Sequence, residues 1–308
     1  MAEPEAGAEP EAGARVGSEA TGEGQRRTGL ERDAMLGTRT AHLTIEPGEG
    51  PPLILISGCG MPSYAWDPVV RHLPGRQIVR LDRPGMGGTR WPDHLPTLAE
   101  ETATLIGLAE QYPGGVLVAH SMASFHAEAA IRHRPELVAG LVLVDGSTEP
   151  AARKPIGEGA WLAVARAAEW AARHPPLAAL GPVVDRITVT AQSRRRLLDP
   201  MDPRSLITYS SADAVASVIS ELAGYRRQAN DLLQVRAETV WPAGLPVEVI
   251  TAERAGGGRW VAAQRDLADL LGGRQTVLSD SRHLVMLDEP QVIAATAERV
   301  LAAIAGSA

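Results

Sequence analysis

A single cysteine, Cys59, stands among 308 residues, so no internal disulfide can form and stability does not depend on an oxidising compartment. Long apolar runs are also missing. Residues 1 to about 35 hold nothing that could serve as a signal-peptide core, and no later segment approaches the roughly 20 continuous apolar residues needed to span a bilayer. The chain reads as cytoplasmic, with no membrane partner. Positive charge is in the minority, 30 Lys and Arg against 37 Asp and Glu for a net charge of −7, which removes the electrostatic reason to expect nucleic acid. The one dense basic run, Arg194-Arg195-Arg196, reads as a solvated helix face. There is no H-E-x-x-H and no cysteine pair, and His120, His126 and His133 are too few and too irregularly placed for a metal site. Gly85-Met86-Gly87-Gly88 lacks the spacing of a dinucleotide loop. No metal or cofactor is therefore expected, and nothing in the chain signals an oligomeric state.

The first segment is equally poor in large apolar side chains. Glu3-Pro4-Glu5-Ala6-Gly7-Ala8 is repeated as Glu9-Pro10-Glu11-Ala12-Gly13-Ala14, and the Ala/Gly/Glu/Pro-rich composition of residues 1–35 cannot bury enough surface to offset its ordering entropy, which predicts a disordered tail. After it, β-rich runs near 40–45, 53–57, 78–81, 116–119, 141–145, 247–251 and 274–278 alternate with helical stretches near 97–111, 122–133, 259–271 and 290–304. That alternation predicts an α/β fold: a mostly parallel, twisted sheet of about eight strands with helices on both faces. Between Asp145 and Val247 no strand is evident, but Trp161–Arg173, Val183–Leu198, Ser205–Leu222 and Tyr225–Ala237 are amphipathic. Residues 36–146 and 241–308 are thus expected to form the core around a helical insertion at 147–240.

The chemistry is concentrated at the ends of strands. Val116-Leu117-Val118-Ala119-His120-Ser121-Met122-Ala123 runs an apolar strand into a serine with small residues at both second neighbours. That is the shape of a nucleophile elbow, with alanine at both usual glycine positions. Pro51 to Ile56 ends in Ser57-Gly58-Cys59-Gly60, and Ile78 to Leu81 ends in Asp82-Arg83-Pro84-Gly85-Met86-Gly87-Gly88-Thr89, where Asp82 reads as a brace for the turn. A late histidine, His283, precedes an apolar run and the pair Glu289-Pro290. A serine hydroxyl needs a base within hydrogen-bond reach and a third group to orient that base. Ser121 and His283 fill the first two roles.

Glycine-rich loop, D-x-x-G-x-G-G-[ST], elbow and late histidine, in that order, resemble the α/β-hydrolase superfamily from about Arg39 to the C-terminus. The resemblance implies an oxyanion hole from the backbone N–H groups of Cys59 and Met122, with the Cys59 thiol lining the pocket as a small hydrophobe. It also implies that the insertion is a cap over the elbow; Trp161, Trp170 and Trp241 would either line the pocket or pack the helices. The acid departs from the usual pattern, because Thr251-Ala252-Glu253-Arg254-Ala255 puts alanine where most relatives have aspartate. An alternative arrangement within the superfamily places the acid after the preceding strand, where Leu141-Val142-Leu143-Val144-Asp145 offers Asp145. Asp145 is the expected acid, with Glu253, Glu149 or no acid as the alternatives. The reading is a serine hydrolase acting on an ester, lactone or thioester of an apolar small molecule through an acyl-enzyme. The alternatives are a lyase or perhydrolase on the same fold, or a ligand-binding pseudoenzyme.

Overall fold

The computed structural model describes residues 29–155 and 157–307. Eight strands form one sheet: β1 (Leu30–Leu36), β2 (Arg39–Glu46), β3 (Glu49–Ile56), β4 (Arg76–Leu81), β5 (Gly115–His120), β6 (Val138–Val144), β7 (Val247–Ala252) and β8 (Arg274–Leu278). Their spatial order is β1-β2-β4-β3-β5-β6-β7-β8. The β1–β2 and β2–β4 pairs are antiparallel and every other pair is parallel. This is the predicted mostly parallel α/β sheet.

The central strands explain their own sequence. β5 is buried along its whole length, and Val116, Leu117, Val118 and Ala119 pack alternately into two apolar clusters on opposite faces of the sheet. A strand covered on both sides has no solvent face to encode, so it reads as a continuous apolar run. One cluster is closed by the helices Leu98–Gln111, Ala123–His133 and Glu253–Leu270, the other by Pro290–Ser307. The helix Leu98–Gln111 begins with a complete capping box, in which Thr97 and Glu100 satisfy each other's backbone amides.

Two boundaries differ from expectation. Of the tail expected at 1–35, residues 1–28 lie outside the described residues, while Leu30–Leu36 is an edge strand paired with β2 along seven residues. Its charged residues Glu31, Arg32 and Asp33 face outward and only Ala34 and Leu36 are buried, a pattern suited to an edge and hard to tell from a polar leader. Between β6 and β7 the structure does place helices, Glu158–Ala172, Leu180–Gln192, Pro203–Tyr209 and Ala212–Glu238 among them. The two pieces expected at 205–222 and 225–237 are largely one 27-residue helix running through Gly224. Glycine suits that point because an added Cβ would come within 3.0 Å of the Pro96 carbonyl oxygen. Among the described residues no helix is long and apolar enough to cross a membrane.

Candidate active site

The chemistry-bearing residues come together at the carboxyl ends of the parallel strands, where open α/β sheets form their crevices. His120 is in register with Val144, so Ser121 and Asp145 follow as adjacent residues on neighbouring strands. Both take positive φ, +53° at Ser121 and +44° at Asp145, a backbone region that non-glycine residues enter only when the surroundings enforce it. The surroundings do so. Ser121 N–H donates to the Val144 carbonyl (3.2 Å), the Ser121 carbonyl accepts from the N–H groups of Ser124 (3.0 Å) and Ser147 (2.9 Å), and Asp145 N–H donates to Ile250 (2.7 Å). Ala119 and Ala123, the two alanines of the elbow, are fully buried. Gly58 approaches the elbow so closely that a Cβ there would stand 2.7 Å from Ser121 Cβ. Asp82 braces its turn as expected, accepting from the N–H groups of Ser63 (2.8 Å) and Gly88 (3.1 Å).

His283, in the loop beyond β8, joins the two strand ends. Its Nδ1 lies 2.6 Å from Asp145 Oδ2 and its Nε2 lies 3.0 Å from Ser121 Oγ. A carboxylate can only accept, so Nδ1 carries the proton and Nε2 is left to accept from the hydroxyl. Neither of the other candidate acids touches this histidine. Glu149 pairs with Arg153 at 3.1 Å, and Glu253 opens the helix after β7 without a hydrogen bond or ion pair to His283.

His120, considered above only as a metal ligand, has a different place. Its buried ring sits 4.7 Å from that of His283, and its Nε2 donates to the His283 carbonyl at 3.0 Å. Burial and the neighbouring His283 push its pKa well down, so it stays neutral and anchors the histidine loop. Its only signal in the sequence is its position directly before Ser121.

Cys59 and Met122 both line the cavity at Ser121, and among the described residues neither backbone N–H donates a hydrogen bond. The next residue, Gly60, is held by the insertion from two sides. Its N–H donates to Glu221 Oε2 (2.6 Å) and its carbonyl accepts from the Tyr209 hydroxyl (2.8 Å). Glu221 also faces Arg83 at 2.8 Å, while Arg83 approaches Glu101 at 3.5 Å. Burial would raise the Glu101 carboxyl, but Arg39 and Arg83 override it and hold that group well below the usual carboxylate range. Burial, and secondarily Glu221, push the Cys59 thiol up, which keeps it the neutral hydrophobe anticipated from sequence.

The cavity has a volume of about 860 Å³ and is walled mainly by apolar side chains, including Leu177, Leu180, Val184, Val218 and Leu287. Trp161, Trp170 and Trp241 are not among its lining residues. The first two are substantially exposed, and Trp241 packs against the core. An unanticipated lining residue is Asp185, buried and raised to about 6 by desolvation against the opposing effects of Tyr209 and Arg186. A carboxyl group raised on folding stabilises fully below its unfolded pKa, near 4, and that contribution is lost as pH climbs through the folded value. Asp185→Asn is therefore expected to raise the melting temperature by a few degrees at pH 8, the gain fading toward pH 4. Thermal scans across that range check it, and a pH-independent difference would contradict the assignment.

Residues 53–296 match the model of the alpha/beta hydrolase family. Among characterised proteins, (E)-2-((N-methylformamido)methylene)succinate hydrolase of Acinetobacter baylyi is 32% identical over 112 residues. That match spans 35% of this chain and 42% of the relative, less than half its length. Among solved structures, the Cif epoxide hydrolase of Acinetobacter nosocomialis superposes with a TM-score of 0.68 at 15% identity, covering 90% of each chain. An N-formylmaleamic acid deformylase of Pseudomonas putida gives 0.61 at 22% identity, over 86% of this chain and 99% of the other. A thermophilic esterase of Thermogutta terrifontis gives 0.63 at 19% identity, over 89% and 99%. At such identities these structures are likenesses of fold.

Proposed function

Because the chain belongs to the alpha/beta hydrolase family, we propose that it is a serine hydrolase, cleaving an ester, lactone or thioester of an apolar small molecule through an acyl-enzyme. The observation that carries the reading is the unbroken hydrogen-bonded line from Asp145 through His283 to Ser121, opening on a largely apolar cavity. In the first step His283 Nε2 takes the Ser121 hydroxyl proton as Oγ bonds to the substrate carbonyl carbon. The charge that develops on the substrate oxygen is met by the N–H groups of Cys59 and Met122, donors of a kind each worth about 10²–10³ in rate. Asp145 balances the imidazolium. Collapse of the tetrahedral intermediate breaks the bond to the leaving alcohol or thiol, which takes the proton back from Nε2. Water, activated by the same nitrogen, then releases the acid and restores Ser121.

The helices of residues 147–240 act as the cap in this reading, since they supply much of the cavity wall and, through Tyr209 and Glu221, fix the loop that carries Cys59. The pseudoenzyme alternative drew on the two elbow alanines, on Ser57 in place of the family's usual histidine before Gly58, and on the displaced acid; the contact of Asp145 with His283 speaks to the last of these.

Intact mass after exposure to an activated fluorophosphonate tests the proposal. One adduct is expected, mapping to Ser121, together with turnover of p-nitrophenyl esters that depends on acyl chain length. An unmodified protein would overturn it.

A further inference from the structure

Asp145 has no exposed surface, yet it must remain ionised opposite His283. A buried carboxylate stays charged only if N–H donors replace the water it has lost. One oxygen faces His283. The other, Oδ1, accepts from the Ala252 backbone N–H at 3.0 Å and from the Trp260 indole Nε1–H at 2.7 Å. One helical turn beyond Trp260, the fully buried Gln264 donates its side-chain amide to the carbonyl of Gly146, the residue after the acid. Positions i and i+4 share a helix face, so a single face grips both the acid and the turn that carries it.

The local sequence is arranged for this contact. The helix Glu253–Leu270 is kinked at Gly257, whose φ is +67°. A Cβ at Gly256 would stand 2.8 Å from Trp260 Cβ, so glycine leaves the indole its place. This helix follows β7, the strand after which most relatives carry the acid itself; here it carries donors to an acid on β6.

We propose that Trp260, assisted by Gln264, is a positioning residue that holds the Asp145 carboxylate in the orientation and ionisation state His283 requires. The inference rests on the serine-hydrolase reading for its kinetic consequence, but its electrostatic consequence can be observed without turnover. The indole N–H draws charge toward Oδ1. Without it, the carboxylate facing Nδ1 becomes more basic, the imidazolium is better stabilised, and the His283 pKa rises. With Ala252 alone fixing Oδ1, the acid also gains rotational freedom and the imidazole loses alignment.

The decisive variant replaces Trp260 by 3-benzothienylalanine, which keeps the shape of the bicyclic ring and lacks the N–H. The imidazole resonances of His283, assigned by their absence in His283→Ala, are followed by NMR against pH. An upward shift of about half a pH unit or more is expected, a sign set by the lost hydrogen bond to the charged acid. In ester assays kcat should fall about tenfold with KM nearly unchanged, a size in keeping with one hydrogen bond to a charged group. Trp260→Phe should move both quantities in the same direction and also lower the melting temperature through lost packing. Wild-type behaviour of the isostere in both titration and kcat would overturn the proposal and leave Trp260 a packing residue. If the wild-type enzyme shows no Ser121-dependent turnover, the hydrolase reading fails while the titration still decides the role of Trp260.

Discussion

Ser121→Ala and His283→Ala are each expected to lower kcat/KM by at least about 10³-fold, and the double mutant to be scarcely worse than either single. The reason is geometric. Ser121 Oγ and His283 Nε2 are 3.0 Å apart, so proton removal and nucleophilic attack form one event that requires both groups. Once either is gone, the remaining rate reflects binding and the oxyanion donors alone, which the second substitution does not touch. Ester turnover by the wild type and the three variants, at protein concentrations set by absorbance, measures the cycle. Losses that multiply would show that the two residues act independently and would sink the assignment.

Asp145→Asn is expected to cost about 10⁴-fold in kcat while preserving the fold, since an amide of the same shape can orient the wrong imidazole tautomer and cannot balance imidazolium charge. In the wild-type protein Oδ2 accepts a hydrogen bond from Nδ1–H, with 2.6 Å between the heavy atoms. An asparagine that turns its NH₂ toward His283 donates there instead, leaving Nε2 protonated and unable to accept from Ser121. An asparagine that turns its carbonyl toward His283 presents NH₂ to the Ala252 and Trp260 donors, which already occupy that side. The first choice disables the base, and the second sets donor against donor. Glu253→Gln and Glu149→Gln should stay within about threefold of wild type, because neither residue bonds to His283. Circular dichroism and thermal scans confirm the fold of each variant, and the kcat ranking decides. If Glu253→Gln proves the more damaging, the acid belongs after β7; neutral results throughout would leave a serine–histidine pair without an acid.

Much of this geometry is legible in the chain because it is written locally. A four-residue apolar run, a serine between alanines and a glycine-rich loop after another apolar run are features of strand ends, each set by backbone sterics over a few residues. The histidine is legible through its order after the last strand. What the chain hides is of two kinds. β1 looks like polar leader because an edge strand buries only Ala34 and Leu36 of its seven residues. Trp260 and Gln264 look like ordinary helix residues, since nothing in their spacing shows that the face they share is turned toward a loop more than a hundred positions earlier.

By itself, then, the sequence determined the alternating α/β architecture, the placement of helices between β6 and β7, and the candidacy of Ser121 and His283. These follow from hydrophobic period and local turn chemistry, which act over a few residues. Only the tertiary structure decided which carboxylate meets His283, because Asp145, Glu149 and Glu253 are separated in space by strand register and helix packing. The pairing of His120 with Val144 sets Asp145 beside Ser121, the positive φ at both residues turns their side chains to the same rim, and the helix after β7 closes on the acid with donors. A contact of that kind depends on the relative placement of three distant segments, and relative placement is fixed by the packed core.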